Sequence, residues 1–242
     1  MSSGNRSNEF IYFYISGKPK WYTLSSDERQ LARKQHLKEY CVKHTFNKNP
    51  SPENLRYLAV DDELKIIICV TPKVATKTLK SVIALSRGIT DQKFNRWDIW
   101  KRWDSYTEEE RSQRLKTYFK FVFVREPLQR LLSACKDRLI KHSHEYKLVQ
   151  EEIVRALRPQ DFNTQGNNFV SFPEFIQYYS DNKTRDQHWR QYEKLCHPCV
   201  INYDFIGHLE TMEEDAALLL KMVGIDDVPR NFPTNSELHG LI

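Results

Sequence analysis

Two short stretches carry residue types suited to holding a multiply charged anion. From Ile66 to Lys80 the chain reads I-I-I-C-V-T-P-K-V-A-T-K-T-L-K, an apolar run, a turn and then helix-compatible residues. Where a parallel strand turns into a helix, unbonded backbone N–H groups and the positive end of the helix dipole converge on one anion site. Lys73 adds a full charge to that turn, and Thr76 and Thr78 add hydroxyl donors. The glycines of G-x-x-x-x-G-K-[ST] are absent, so this is not a nucleoside-triphosphate loop. Read alone, it is also what an ordinary strand-to-helix connection looks like. From Phe121 to Ala134 the chain reads F-V-F-V-R-E-P-L-Q-R-L-L-S-A. Arg125 falls at the carboxyl end of a strand, where open α/β sheets bind ligands. Ser133 follows on the next helix, and a guanidinium fork with a hydroxyl suits a phosphate monoester.

The elements that must position these residues can be read from periodicity. Leu64 to Val70 is a short apolar run rich in β-branched residues, as expected of a central parallel strand, and Phe119 to Val124 is a second. Helices are expected from Ser25 or Ser26 to about Lys43, with Leu31, Leu37, Tyr40 and Cys41 inward. Others are expected over Lys73 to Arg87, with Leu79, Val82, Ile83 and Leu85 inward, and from the capping box at Thr107 to Thr117. Further helices should run from Leu128 to about His142, from Tyr146 to Leu157, from Ser171 onward, and from Thr211 to Val223 before Gly224. Asn202 to Ile206 suits a strand. Strands alternating with helices predict an α/β fold with a central parallel sheet. Residues 1–24 lack periodicity and read as an N-terminal arm, leaving residues 25–242 as the domain.

Composition bounds the function. With 242 residues, 40% hydrophobic and 29% charged, the chain is neither a multispan membrane protein nor a disordered polymer. The net charge of +5 is unevenly spread: Thr71 to His142 holds 17 basic and 8 acidic residues. A basic middle third points to an anionic ligand there, although a solvated charged face would look the same. The run Phe10 to Ile15 is too short to span a bilayer, and no secretory signal is visible. Asn5-Arg6-Ser7 and Asn182-Lys183-Thr184 fit the N-glycosylation pattern, which matters only in a secretory compartment.

Taken together, the two strand–turn–helix units resemble those of the Golgi carbohydrate sulfotransferases of the chondroitin/dermatan 4-O type. The resemblance rests on Pro72-Lys73-Val74-Ala75 in the first turn, and on Arg125-Glu126-Pro127, Arg130-Leu131 and Ser133-Ala134 in the second. Leu58-Ala59-Val60-Asp61-Asp62, His188-Trp189, Leu195-Cys196-His197-Pro198-Cys199, Tyr203-Asp204-Phe205-Ile206-Gly207 and Leu209-Glu210 follow in the family's order. The likeness covers about Leu31 to Gly224. The first turn departs from the pattern: Thr76 and Lys77 stand where the family has Cys then Thr or Ser, and Leu79-Lys80-Ser81 where it has Trp-Lys-Arg.

The resemblance implies a domain similar to P-loop kinases. It would move sulfate from 3′-phosphoadenosine-5′-phosphosulfate (PAPS) to a glycan hydroxyl, in line and without a metal. It places Lys73 on the 5′-phosphate and bridging oxygen, and Arg125 and Ser133 on the 3′-phosphate. Pro72, Val74, Ala75, Thr76, Lys77, Thr78 and Arg130 complete the nucleotide site. The acceptor hydroxyl needs a base, for which His188 is the first candidate and Asp98 and Asp104 are weaker ones. Lys93, Arg96, Lys101, Arg102, Arg111 and Arg114 would hold an acidic polysaccharide such as a glycosaminoglycan, or a glycoprotein glycan, with Trp97, Trp100 and Trp103 stacking on sugars or buried as core. Two other readings stand beside this one: a weak or inactive relative that binds nucleotide or polyanion, and a basic nucleic-acid-binding module. The resemblance favours no nucleic-acid partner. It also implies the Golgi lumen, with membrane contact only through an anchor not visible here; the sequence taken literally suggests the cytosol. Cys196 and Cys199 fit a redox pair, half a zinc site or a disulfide, and the resemblance favours a structural disulfide.

Overall fold

A computed structural model describes residues 24–44, 55–89, 99–141, 144–164, 166, 168–180 and 186–225. Residues 1–23 of the expected arm (1–24), Phe10 to Ile15 among them, both glycosylation patterns, Lys93, Arg96, Trp97 and Asp98 lie outside the described residues. The chain divides into two compact units, residues 1–45 and 46–242. The first contains helix α1 (Ser26–Lys43), opened by a reciprocal capping box between Ser25 and Glu28. The buried stripe expected along α1 does not form as drawn: Leu31 is 73% exposed and Tyr40 is also exposed. Charged residues crowd around the few apolar ones, so no continuous apolar face exists.

The second unit is built on a five-stranded sheet. In chain order its elements are β1 (Leu58–Asp61), β2 (Ile66–Cys69), α2 (Thr76–Ser86), β3 (Lys101–Arg102), α3 (Glu108–Thr117) and β4 (Phe119–Val124). Then come α4 (Pro127–Ala134), a π-helical turn (Cys135–Lys141), α5 (Lys147–Leu157), α6 (Phe172–Ser180), α7 (Tyr192–Cys196), β5 (Phe205–His208) and α8 (Met212–Met222). The strand order is β3-β1-β2-β4-β5. β2, β4 and β5 run parallel, giving the parallel centre the sequence predicts, but β1 pairs antiparallel with both β2 and β3. The whole sheet is therefore mixed. The β1–β2 turn is set by Asp61, whose Oδ1 accepts the N–H groups of Glu63 (3.0 Å) and Leu64 (3.1 Å).

Every residue of β2 is buried, as its unbroken Ile-Ile-Ile-Cys run requires. One core packs Ile66, Ile68, Phe121, Phe123 and Phe205 of the sheet against Leu79, Val82 and Ile83 of α2 and Met212, Ala216 and Leu219 of α8. Leu85, expected inward on α2, is exposed instead. A second core joins Leu131, Cys135 and Leu139 to Ile153, Val154, Phe175 and Trp189. The helix expected over Leu128 to His142 leaves α geometry at Cys135 and continues as the π-helical turn.

The basic, Trp-rich stretch has a structural use. Trp100 and Trp103 are buried. Asp62 accepts from Arg114 Nε (2.9 Å), Lys101 Nζ (3.2 Å) and the hydroxyls of Tyr106 and Tyr118 (2.9 Å each), and these bonds hold its carboxyl well below the usual range. Arg111 Nε donates to the Trp103 carbonyl at 3.0 Å, and Arg102 pairs with Asp104. Of the described basic residues here, Arg111 and Arg114 are engaged within the fold, while Lys101 and Arg102 are ion-paired yet largely exposed.

Gly207 of β5 faces Phe123 across the parallel register. A Cβ built there would lie 2.3 Å from the Phe123 ring, which is fully enclosed. Gly207→Ala is therefore expected to cost about 1–3 kcal/mol by overpacking, measurable as a lowered Tm in thermal unfolding. An unchanged Tm would mean that the ring gives way.

Candidate functional site

The carboxyl ends of β2 and β4 open into a cleft of about 1050 Å³. Its floor is the turn between β2 and α2. Lys73 (φ 72°) and Ala75 (φ 55°) both occupy the left-handed region, which non-glycine residues rarely adopt. Such a turn persists only where its surroundings over-determine it. Here Thr76 Oγ1 donates to the Thr71 carbonyl (2.7 Å), Arg130 Nε to the Pro72 carbonyl (3.1 Å) and Arg125 Nη1 to the Lys73 carbonyl (3.4 Å). Thr71 Oγ1 ties the same turn to the Phe123 carbonyl of β4 at 3.2 Å.

The two helix N-termini near the cleft differ. At α4 the Glu126 carboxylate accepts from the N–H groups of Leu128 (3.0 Å) and Gln129 (2.6 Å), so that end is already occupied by an anion. At α2 the N-cap is Ala75, which supplies no side-chain cap. The first-turn N–H groups of α2 point where an anion would sit.

Pro72, Lys73, Ala75, Thr76, Lys77, Thr78, Arg125, Ser133 and His188 all line this one cleft. Two residues expected in the nucleotide site, Val74 and Arg130, do not line the cleft. The Val74 side chain lies in the sheet core. Arg130 donates to the carbonyls of Pro72, Arg190 (2.8 Å) and Gln187 (3.0 Å), so its guanidinium braces the turn rather than facing the cleft. Thr76 lines the cleft, but its hydroxyl proton is used in closing the turn.

Arg125 is only 4% exposed, its backbone N–H held by the Tyr192 hydroxyl at 2.9 Å. Lys73 is half-buried and ion-paired with Asp137 of the π-helical turn. Burial pushes its ammonium pKa down, while the bond to Asp137 pulls the other way without cancelling the effect.

His188 is buried on the cleft wall beside Trp189, which is locked in the second core against Phe175. His188 Nδ1 lies 2.7 Å from Asp186 Oδ1 and 3.1 Å from the Tyr146 hydroxyl, which itself donates to Asp186 Oδ2 at 3.0 Å. Burial raises the Asp186 pKa, but the bonds from His188 outweigh it and hold the carboxyl below its usual value. Imidazole, carboxylate and phenol thus form one oriented cluster, with Nε2 as the ring nitrogen left for other chemistry. Asp104 is an exposed surface carboxylate paired with Arg102.

The arrangement is a buried arginine, a half-buried lysine, an uncapped helix start and an oriented histidine around one cleft. Residues 56–239 match the profile of the sulfotransferase family. The chain belongs to the sulfotransferase family. Among relatives of this sulfotransferase-family chain, human carbohydrate sulfotransferase 9 is 33% identical over 223 residues, covering 85% of this chain and 49% of its own length. Carbohydrate sulfotransferase 12 of Xenopus laevis is 34% identical over 251 residues, covering 84% and 59% respectively. Human carbohydrate sulfotransferase 14 is 36% identical over 176 residues, covering 70% and 47%. The chain thus spans about half to three-fifths of these relatives. No solved structure matches it significantly.

Sequence reasoning missed several cleft residues of this sulfotransferase-family member. Arg56, Tyr57, Asp137, Arg138, Asp186 and Gln187 also line it, together with Arg102, which the sequence marked instead for an acidic polysaccharide. Asp137 had a readable signal, being four residues beyond Ser133 and so on the same helix face. Cys196 is bonded to Cys69 rather than to Cys199, so the C-x-x-C residues do not form a redox pair with each other. Among the described residues no group of three or more His, Cys, Asp or Glu could hold a metal, and no helix is long and apolar enough to cross a membrane.

Proposed function

We propose that this chain is a carbohydrate O-sulfotransferase domain that transfers a sulfuryl group from PAPS to a glycan hydroxyl. The observation that carries this reading is the convergence of Lys73, Arg125 and Ser133, from two separate strand–turn–helix units, on one cleft beside the uncapped start of α2. Relatives named as carbohydrate sulfotransferases support the acceptor class. The unit running from β2 through the turn into α2, beside the parallel strand β4, is the part on which a likeness to P-loop kinases rests.

In this reading Arg125 and Ser133 hold the 3′-phosphate, and the Lys73 turn holds the 5′-phosphate. The sugar hydroxyl oxygen bonds to sulfur as the bond from sulfur to the phosphate oxygen breaks. The hydroxyl proton passes to His188 Nε2, and the developing charge on the phosphate is met by Lys73. Such transfer depends on positioning and on preorganised charge, which a buried guanidinium and a braced turn provide. The Cys69–Cys196 disulfide supports an oxidising compartment such as the Golgi lumen over the cytosol.

The test is transfer of ³⁵S from labelled PAPS to a panel of neutral and acidic polysaccharides. Label incorporated into carbohydrate is expected; labelled PAPS that binds without transfer to any acceptor would favour a non-catalytic relative. Asp186→Asn removes the carboxylate that orients His188 and is expected to lower kcat about tenfold, a fraction of what general-base catalysis contributes. The affinity for adenosine 3′,5′-bisphosphate should not change. A fall in affinity with kcat unchanged would place His188 in nucleotide binding instead.

A further inference from the structure

Asp137 and Asp186 are the two carboxylates in a cleft whose other charged lining is Arg56, Lys73, Lys77, Arg102, Arg125 and Arg138, and Asp137 is the one bonded to Lys73. It sits in the π-helical turn, a geometry often found at functional sites. Its Oδ2 is bonded to Lys73 Nζ and lies 3.1 Å from Arg138 Nε, so one oxygen is shared between two cations. Arg138 in turn reaches Glu145 at 3.6 Å. A carboxylate at this place opposes any anion that approaches Lys73, because the two negative charges would be neighbours on one ammonium. Its bond also favours the charged form of a half-buried lysine, against the burial that disfavours it.

We propose that Asp137 is a positioning residue that occupies Lys73 until an anionic donor displaces it, leaving Asp137 on Arg138. The proposal rests on the reading that this cleft takes a 3′-phosphorylated adenine nucleotide. Asp137 then sets two properties at once. It weakens donor binding, since its bond to Lys73 must be exchanged. It also extends the pH range over which Lys73 stays protonated, against the burial and the neighbouring charges of Arg138 and Lys77.

The experiment is calorimetric titration of the whole chain with adenosine 3′,5′-bisphosphate, comparing wild type with Asp137→Asn across pH 6–10. At neutral pH the variant is expected to bind about tenfold more tightly, the equivalent of one unfavourable charge contact removed. Its affinity should fall off at lower pH than that of wild type, because the group that raises the Lys73 pKa is gone. A substitution that merely damages the fold would weaken binding and lower Tm, with no displacement of the alkaline limb. Equal affinity in both proteins, or weaker binding by a variant with wild-type Tm, would overturn the proposal alone. Failure of both proteins to bind the bisphosphate would overturn the nucleotide reading and this proposal with it. A second arm uses ¹³Cε-lysine-labelled protein without nucleotide, with Lys73 assigned through Lys73→Arg. The Lys73 resonance should titrate at lower pH in Asp137→Asn, and an unchanged midpoint would contradict the pairing itself.

Discussion

Lys73→Ala is expected to lower kcat for sulfuryl transfer by about 10²–10³-fold, the usual cost of removing one preorganised charge from a developing anion. The expectation follows from where the ammonium sits. The turn holds Lys73 at a positive φ, three side chains brace that turn, and the ammonium lines the cleft. The charge is therefore fixed before the leaving phosphate develops its own, and little reorganisation is needed as sulfur departs. Because Lys73 is not part of the hydrophobic core, the variant should unfold near the wild-type Tm. Lys73→Arg should rescue poorly, since a planar fork is larger than an ammonium and Asp137 already fills the space beside it. Single-turnover transfer from labelled PAPS checks this. A kcat within a few-fold of wild type would show that Lys73 only binds.

The second large effect concerns the Cys69–Cys196 disulfide. It joins the end of β2 to α7 across a sequence separation of 127 residues. Closing a loop of that size restricts the unfolded chain by an amount worth about 4–5 kcal/mol in the chain-entropy account. For a domain of this size Tm should fall on the order of 10 °C in a Cys69→Ala/Cys196→Ala double variant. The site should feel the loss as well. Cys69 lies two residues before Thr71, and α7 carries Tyr192, whose hydroxyl accepts from the Arg125 N–H. Weaker binding of adenosine 3′,5′-bisphosphate is therefore expected together with the lowered Tm. Unchanged unfolding of the double variant would mean that the cores alone hold β2 and α7 together.

How far the site was legible follows from what each residue's neighbours are. Ile66 to Cys69 announces itself as a strand because it is apolar on both faces, and Phe119 to Val124 because it is apolar but for Lys120; the turns after them carry Lys73 and Arg125. β1 was visible only as a flanking motif, because four residues ending in Asp61 make no alternating or extended apolar pattern. β3 is two exposed charged residues, whose pairing with β1 depends on Trp100 and Trp103 being buried beside it. Arg130 lies in a motif that suggests ligand contact. Its three carbonyl acceptors come from segments about 60 residues apart in the chain, a distance no local pattern encodes. The partner of Cys196 was hidden for the same reason: the C-x-x-C spacing drew attention to Cys199, while β2 brings Cys69 to the bond.

The central claim is that this cleft binds a 3′-phosphorylated adenine nucleotide through Arg125 and Lys73. Thermal unfolding with adenosine 3′,5′-bisphosphate, using ATP as control, tests it most directly. At one hundred times its dissociation constant the bisphosphate adds about 2.7 kcal/mol, which for a chain of this size is a Tm shift on the order of 5–10 °C. The account predicts that shift with the bisphosphate, little or none with ATP, and its loss in Arg125→Ala. An equal shift with both nucleotides, or none with the bisphosphate at millimolar concentration in folded protein, would contradict it.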